Sequence, residues 1–245
     1  MSEQFSADPV ARAEEFLAAF NRIDDFLRQK TGIMDRSKSF SEVLRRFFQM
    51  NPAYARYKSK IESFVDLRNV LVHEHKRARE YVAYPSEMAF LDIRVLEKGL
   101  LSPAPVLDVA NRTVKAFSPT TALVEMLAVI REEDFSQFPV YGEGGDFLGL
   151  ATANGLSRWF ARLLDADQSL IDIDDHLIEE VLEFGEGKGN CEFVSRSLPA
   201  REALHLFANN SLLEAVIVTE TGNPQQRPLG ILTRWDAVGD FQELA

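Results

Sequence analysis

PLGILTRWDAV, residues 228–238, decides the fold, because a second version of it, DFLGLATANGL, stands at 146–156. Both read as a polar turn, a short apolar strand interrupted by glycine (Gly149, Gly230), and a threonine (Thr152, Thr233) that opens a helix. Threonine suits that position because its hydroxyl accepts a hydrogen bond from a free N–H of the first helical turn. The same free N–H groups attract phosphate. Asp236 stands three residues after Thr233, where a carboxylate can hold a ribose diol or simply complete the helix cap. The corresponding residue of the earlier version is Gly155. Read as a duplicated phosphate and ribose site, one copy has its full set of residues and the other lacks the carboxylate.

The residues before the two strands are duplicated as well. VKAFSPTTALVEMLAVIREEDFSQFPVYGEGGDFLGLATANGL, from Val114, runs strand, turn, amphipathic helix, strand, hairpin turn, strand, helix. CEFVSRSLPAREALHLFANNSLLEAVIVTETGNPQQRPLGILTRWDAV, from Cys191, repeats that order. Leu123, Met126, Leu127 and Ile130 in one copy, and Ala203, Leu204 and Phe207 in the other, fall at helical spacing. Phe138 to Tyr141 and Ala215 to Val218 are short apolar strands. The duplication predicts two stacked β-α-β-β-α units.

The SP-T-T turn, the S-x-F-P-V strand and the G-x-x-T-x-x-D ending stand in the order found in cystathionine-β-synthase (CBS) domains. Residues from about 103 to 243 resemble a tandem CBS pair, a Bateman module. The resemblance implies an adenine nucleotide (AMP, ADP or ATP) between the repeats, with Thr233 near phosphate and Asp236 on the ribose hydroxyls. Ile231, Phe135, Ser136, Thr113 and Lys115 are expected to line the same pocket. The pseudo-equivalent pocket at Thr152 is expected to be weak or empty. It has Gly155 in place of the carboxylate, and Glu214 stands where some CBS domains carry a cation. CBS pairs also commonly dimerise as a flat disc.

Length and composition bound the rest. A chain of 245 residues accommodates one large or two modest domains. The boundaries read from sequence are 1–102, 103–165 and 166–245, with Pro103 and Pro105 enforcing an extended linker. Hydrophobic residues make up 46% and charged residues 27%, which suits a globular protein, and no apolar run approaches membrane-span length. The polar start, MSEQFSADPVARAEEF, does not read as a signal peptide. A single cysteine, Cys191, rules out an internal disulfide framework and a thiol zinc cluster. A reducing, cytoplasmic setting is the expectation.

Charge is distributed unevenly. Residues 1–100 hold 17 Lys and Arg against 15 Asp and Glu, whereas 101–245 hold 10 against 23. Residues 28–79 alone carry 13 basic and 5 acidic side chains, and 165–186 carries nine acidic and no basic ones. Such a split suggests different partners for the two parts, although the acidic run also suits a solvated helix face.

The N-terminal part reads as a bundle of about four helices. PVARAEEFLAAFNRIDDFLRQKTG has Phe16, Ala19, Phe20, Ile23, Phe26 and Leu27 on one face and Gly32 as its stop. SFSEVLRRFFQMNP begins at a serine cap and ends before Pro52. AYARYKSKIESFVDLRNVLVHEHKRAREY forms one long helical pattern, and SEMAFLDIRVLEKGLL opens at Ser86. In the third segment Ile61, Phe64, Val65 and Val72 make an apolar stripe with Arg68 inside it. Asn69, His73, Lys76 and Arg77 make a neighbouring polar stripe, with Asn69 and His73 one turn apart. An arginine that grips phosphate bidentately and an imidazole that exchanges protons near neutral pH together suit a phosphodiester.

DLRNVLVHEH, following AFNRIDDFLRQ, resembles the HEPN domains, small helical bundles marked by R-x4-6-H with a polar residue after the arginine. The resemblance covers roughly residues 10–100 and places Arg68, Asn69 and His73 in the three motif positions. It implies a metal-independent ribonuclease site completed across a homodimer. His73 would then activate the 2′-hydroxyl, Arg68 would stabilise transition-state charge, and Asn69 would orient the pair. Where one subgroup has a tyrosine two residues after the motif histidine, this chain has His75, so that subgroup's chemistry does not carry over. HEPN folds used only for dimerisation or partner docking fit the same residues. His73 and His75 point about 160° apart on a helix and cannot readily share one metal ion. No G-x-S-x-G elbow and no G-K-[ST] phosphate loop is present.

The expectation is thus an α+β chain in which a HEPN-like helical bundle precedes two CBS repeats. Its partners would be an adenine nucleotide and RNA, with no membrane and no catalytic metal.

Overall fold

The computed structural model describes residues 8–73, 81–165, 173–184 and 189–236, the side chains of His73 and Asp165 excepted. The chain divides into two compact units, residues 1–104 and 105–245.

The first unit is helical. Helix α1 (Pro9–Thr31) starts where the Asp8 carboxylate accepts the Val10 N–H at 3.0 Å, with Pro9 already holding a helical φ. It stops at Gly32, whose φ of 70° turns the chain so that the Ile33 N–H reaches back to the Arg28 carbonyl at 3.2 Å. Helix α2 (Phe40–Met50) is capped by Ser39, and α4 (Glu87–Leu101) by Ser86. Between them lie a 3₁₀ turn, Pro52–Tyr57, and α3 (Lys58–His73). The long helical pattern expected from Ala53 onward therefore begins as 3₁₀ and becomes α-helical only from Lys58.

Helix α1 packs on α2, α3 and α4. Phe16, Ala19, Phe20, Ile23 and Leu27 meet Val43, Leu44, Phe47, Ile61, Phe64, Leu71, Ile93 and Leu96 in one core. Each fully buried side chain of this size contributes about 1.5–3 kcal/mol of transfer free energy. The stripe on α3 runs through Leu71 rather than Val72, and Arg68 sits half-buried at its margin. Arg28 is buried too. Its guanidinium binds Asp24 and the carbonyls of Asp35 and Lys38, which fastens the loop after α1.

In the second unit, α5 (Leu123–Glu133), β1 (Gln137–Tyr141), β2 (Phe147–Thr152) and α6 (Ala153–Asp165) form the first repeat. After α7 (Ile178–Leu182) come β3 (Cys191–Ser195), α8 (Ala200–Asn209), β4 (Ala215–Thr219) and β5 (Gly230–Thr233). Strand β3 runs parallel to β4, and β4 antiparallel to β5. In the first repeat the sheet is β1 against β2, and the strand expected at 114–117 is reduced to a parallel bridge between Phe117 and Val140.

Each repeat completes its core with the segment that precedes the other repeat. Val106, Leu107 and Ala110 pack among Val194, Leu204, Phe207, Val216 and Leu232 of the second repeat. Ile178 and Val181 pack among Leu123, Met126, Phe138, Val140 and Trp159 of the first. The backbone pairings match: Val106 N–H donates to Leu198 O, and Ile178 N–H to Thr121 O. The repeated glycines follow from this exchange. A Cβ on Gly230 would lie 3.0 Å from the Ala110 Cβ, and one on Gly149 would lie 3.2 Å from Leu182 Cδ2. The two sheets meet at an apolar seam of Leu150, Ala215, Ile217 and Ile231, flanked by Val114, Phe147, Cys191 and Phe193. All five residues of β4 are buried, because alternate side chains enter the seam and the second repeat's core.

Candidate nucleotide site

Strand register aligns the two copies position by position. Gln137 stands opposite Thr152, and Ala215 opposite Thr233. Thr152 therefore matches Thr233, Gly155 matches Asp236, Leu150 matches Ile231, and Ser136 matches Glu214. The parallel pairing of Phe117 with Val140, and of Val194 with Val218, matches Thr113 with Asn190.

At the end of β5, Thr233 and Asp236 form a reciprocal pair. The Thr233 N–H and hydroxyl both donate to Asp236 Oδ2 at 2.8 Å, and the Asp236 N–H reaches the Thr233 hydroxyl oxygen at 3.5 Å. This is a capping box with aspartate in the usual place of glutamate. Oδ1 has no hydrogen-bond partner among the described residues. In the first repeat the Thr152 hydroxyl accepts the Gly155 N–H at 2.9 Å, so the cap is kept and the carboxylate is missing.

Ile231 is buried in the seam, and its N–H and carbonyl both bond Asn111 at 2.9 Å. The Asn111 side chain then accepts the Thr113 N–H at 2.9 Å, and Val114 packs on the cluster containing Ile231. Thr113 and Lys115 thus flank a residue of the seam on which β5 lies. The Lys115 ammonium is 2.7 Å from Glu133, at the end of α5. Phe135 packs on the first repeat's core, and the Ser136 carbonyl accepts the Ala153 N–H at 3.0 Å. That corner stands beside Thr152. Among the described residues, no hydrogen bond joins it to Thr233 or Asp236.

Arg234, which the sequence pattern did not single out, anchors the site. Its Nη2 lies 3.0, 3.0 and 2.8 Å from the carbonyl oxygens of Asn210, Ser211 and Leu213, which share its two N–H groups, and its guanidinium carbon lies 5.8 Å from the Phe207 ring centre. Nearby in the seam, Tyr141 packs edge-on to Phe147, and Phe147 edge-on to Phe193. Burial, with a smaller effect from Cys191, pushes the Tyr141 phenol up to about 12. Burial, with a smaller effect from Glu192, pushes the Cys191 thiol up to about 11.

In the helical unit, Arg68 Nη1 donates to Asn69 Oδ1 at 3.2 Å, with Asn69 exposed on α3. The His73 side chain, His75, Lys76 and Arg77 lie outside the described residues. Among the described residues no group of three His, Cys, Asp or Glu is arranged to hold a metal ion, and no helix is long and apolar enough to cross a membrane.

Two stretches, residues 106–162 and 188–242, match the CBS domain family, so the second unit carries a tandem CBS pair. Several solved structures are similar to this region. CBSX2 in complex with AMP is 15% identical and has a TM-score of 0.41, covering 57% of this chain and 97% of its own. The CBS domain pair of protein MJ0100, in complex with 5′-methylthioadenosine and S-adenosyl-L-methionine, is 17% identical with a TM-score of 0.42, covering 58% and 99%. A conserved protein from Pyrococcus horikoshii is 19% identical with a TM-score of 0.42, covering 57% and 93%. No curated protein matches the chain.

Proposed function

We propose that the CBS pair binds an adenine nucleotide (AMP, ADP or ATP) at the end of β5 and thereby controls the helical unit. The observation that carries this reading is the Thr233–Asp236 pair. Asp236 is held through one carboxylate oxygen, which leaves the other to accept a ribose hydroxyl. Thr113 and Lys115 approach the same seam through Asn111, and Lys115 can share its charge between Glu133 and a phosphate. Phe135, Ser136 and Ile231 complete the proposed lining. The first repeat keeps its threonine cap without a carboxylate, so one nucleotide per chain is expected.

Calorimetry with AMP, ADP and ATP tests this. Loss of charge-assisted bonds to ribose in Asp236→Ala should cost about 1.5–3 kcal/mol, or about 10- to 150-fold in affinity. Asp236→Asn keeps an acceptor for the Thr233 cap and separates the loss of ligand contact from the loss of the cap. Equal affinity for wild type and Asp236→Ala, or two tightly bound nucleotides per chain, would reject the assignment.

For the helical unit we propose a HEPN-like module that dimerises and brings together Arg68, Asn69 and His73 from two copies to cleave RNA without metal. The contact between Arg68 and Asn69 supports it, since it holds the guanidinium beside the amide on α3. A non-enzymatic role, with the helices serving dimerisation or partner docking, is the competing reading.

A further inference from the structure

We infer that Arg234 is the positioning residue of the nucleotide grip, fixing the Thr233–Asp236 pair by clamping the first turn after β5 to the end of α8. The inference rests on the reading of Asp236 as the ribose ligand.

Arg234 follows Thr233 directly and stands two residues before Asp236. Its guanidinium is directed at carbonyl oxygens: Asn210, Ser211 and Leu213 at 2.8–3.0 Å and Phe207 at 3.5 Å. Those oxygens lie at and just beyond the C-terminus of α8, where unpaired carbonyls and the helix dipole favour a cation. The carbonyls of Asn210, Ser211 and Leu213 share the two N–H groups of Nη2 while Nη1 faces Phe207 O, so the planar fork turns both its nitrogens to this row of acceptors. The guanidinium carbon also lies over the Phe207 ring, 5.8 Å from its centre, within reach of a cation–π attraction.

The anchor is itself well held. Leu213 precedes Glu214 and Ala215, whose N–H groups both donate to Asn190 O, and Ala215 pairs with Thr233 across the sheet. The clamp therefore joins the first turn to the same strand that positions Thr233 from the other side. The first repeat supplies the contrast. Ala153 occupies the aligned position, and that copy also lacks the carboxylate. Clamp and carboxylate occur in the same copy.

The test measures AMP and adenosine binding to the full chain by calorimetry, for wild type, Arg234→Met, Asp236→Ala and the double variant. Circular dichroism confirms that each is folded, and Arg234→Lys takes the place of Arg234→Met in every arm if the latter does not fold. Arg234→Met should weaken AMP by about fivefold or more in the wild-type background and by less than about twofold in the Asp236→Ala background. The loss should be equal for adenosine, because the clamp acts through the ribose ligand. A loss confined to AMP would make Arg234 a direct phosphate ligand and overturn the inference. So would an equal loss in both backgrounds, which signals general loosening, or no loss at all. Failure of wild type to bind either ligand would instead overturn the nucleotide reading beneath it.

Discussion

Tyr141 carries a hydroxyl that folding removes from water without a hydrogen-bond partner among the described residues. Leaving such a group unpaired costs about 1–3 kcal/mol, whereas removing it leaves nothing to satisfy. Tyr141→Phe should therefore be neutral or stabilising by about 1 kcal/mol in urea unfolding. The pH dependence has a definite sign. The phenol is raised to about 12 in the folded state and titrates near 10 when unfolded, so its neutral form favours folding. That contribution is complete below about pH 10 and fades as pH rises towards 12. Alkaline titration of the wild type should show this extra loss and Tyr141→Phe should lack it. A Tyr141→Phe chain destabilised by more than about 1 kcal/mol would show that the hydroxyl has a partner after all.

At the scale of elements, Gly149 and Gly230 show both what sequence makes legible and what it hides. Their recurrence, with Thr152 and Thr233 three residues later, identified the duplicated strand and helix start without any structure. Their cause was not legible, because it lies in segments far away in sequence. Ala110 and Leu107 press on one glycine and Leu182 on the other. Short segments exchanged between repeats leave no periodicity to read, so Ile178 and Val181 were hidden inside an acidic run that otherwise looks solvated. Caps and stops within one element (Ser39, Ser86, Gly32) were legible because their chemistry is local. Arg234 was not, since a basic residue after a threonine looks the same whether it faces a phosphate or a row of carbonyls. The two glycines differ in what a methyl group would meet. At Gly230 it meets Ala110 Cβ at 3.0 Å and the Asn111 carbonyl at 3.3 Å, neither of which can swing aside. At Gly149 only the Leu182 side chain is closer than ordinary contact, and it can turn away. Gly230→Ala should cost about 1–3 kcal/mol by overpacking, and Gly149→Ala distinctly less. Denaturant titrations of both variants check the order, and equal tolerance would mean that the exchanged segment near Gly230 yields easily.

For the whole molecule, the decisive question is whether the helical unit performs chemistry that the nucleotide controls. The chain leaves α4 and enters the segment 105–111, whose last residue, Asn111, pairs through both backbone groups with Ile231 on the strand that carries the proposed ligand site. In the proposed reading, a nucleotide held at β5 would act on residues next to the point where the two units join in sequence. It alters the helical unit only to the extent that it binds one arrangement better than another. The proposed chemistry predicts RNA cleavage in the presence of a metal chelator, products ending in 2′,3′-cyclic phosphate, and no action on DNA, which lacks the 2′-hydroxyl nucleophile. Removing a group that stabilises developing transition-state charge costs on the order of 10²–10³ in rate, so Arg68→Ala should nearly abolish activity. His73→Ala should do the same through loss of proton transfer or nucleophile orientation. AMP should change the wild-type rate and leave the Asp236→Ala rate unchanged, which separates control through the CBS pair from direct competition at the RNA site. Cleavage that survives in the Arg68→Ala/His73→Ala double variant would assign the activity to another site. Inactivity on varied RNAs, with and without nucleotide, would leave the basic segment 28–79 to dock a partner, with the CBS pair deciding when it does so.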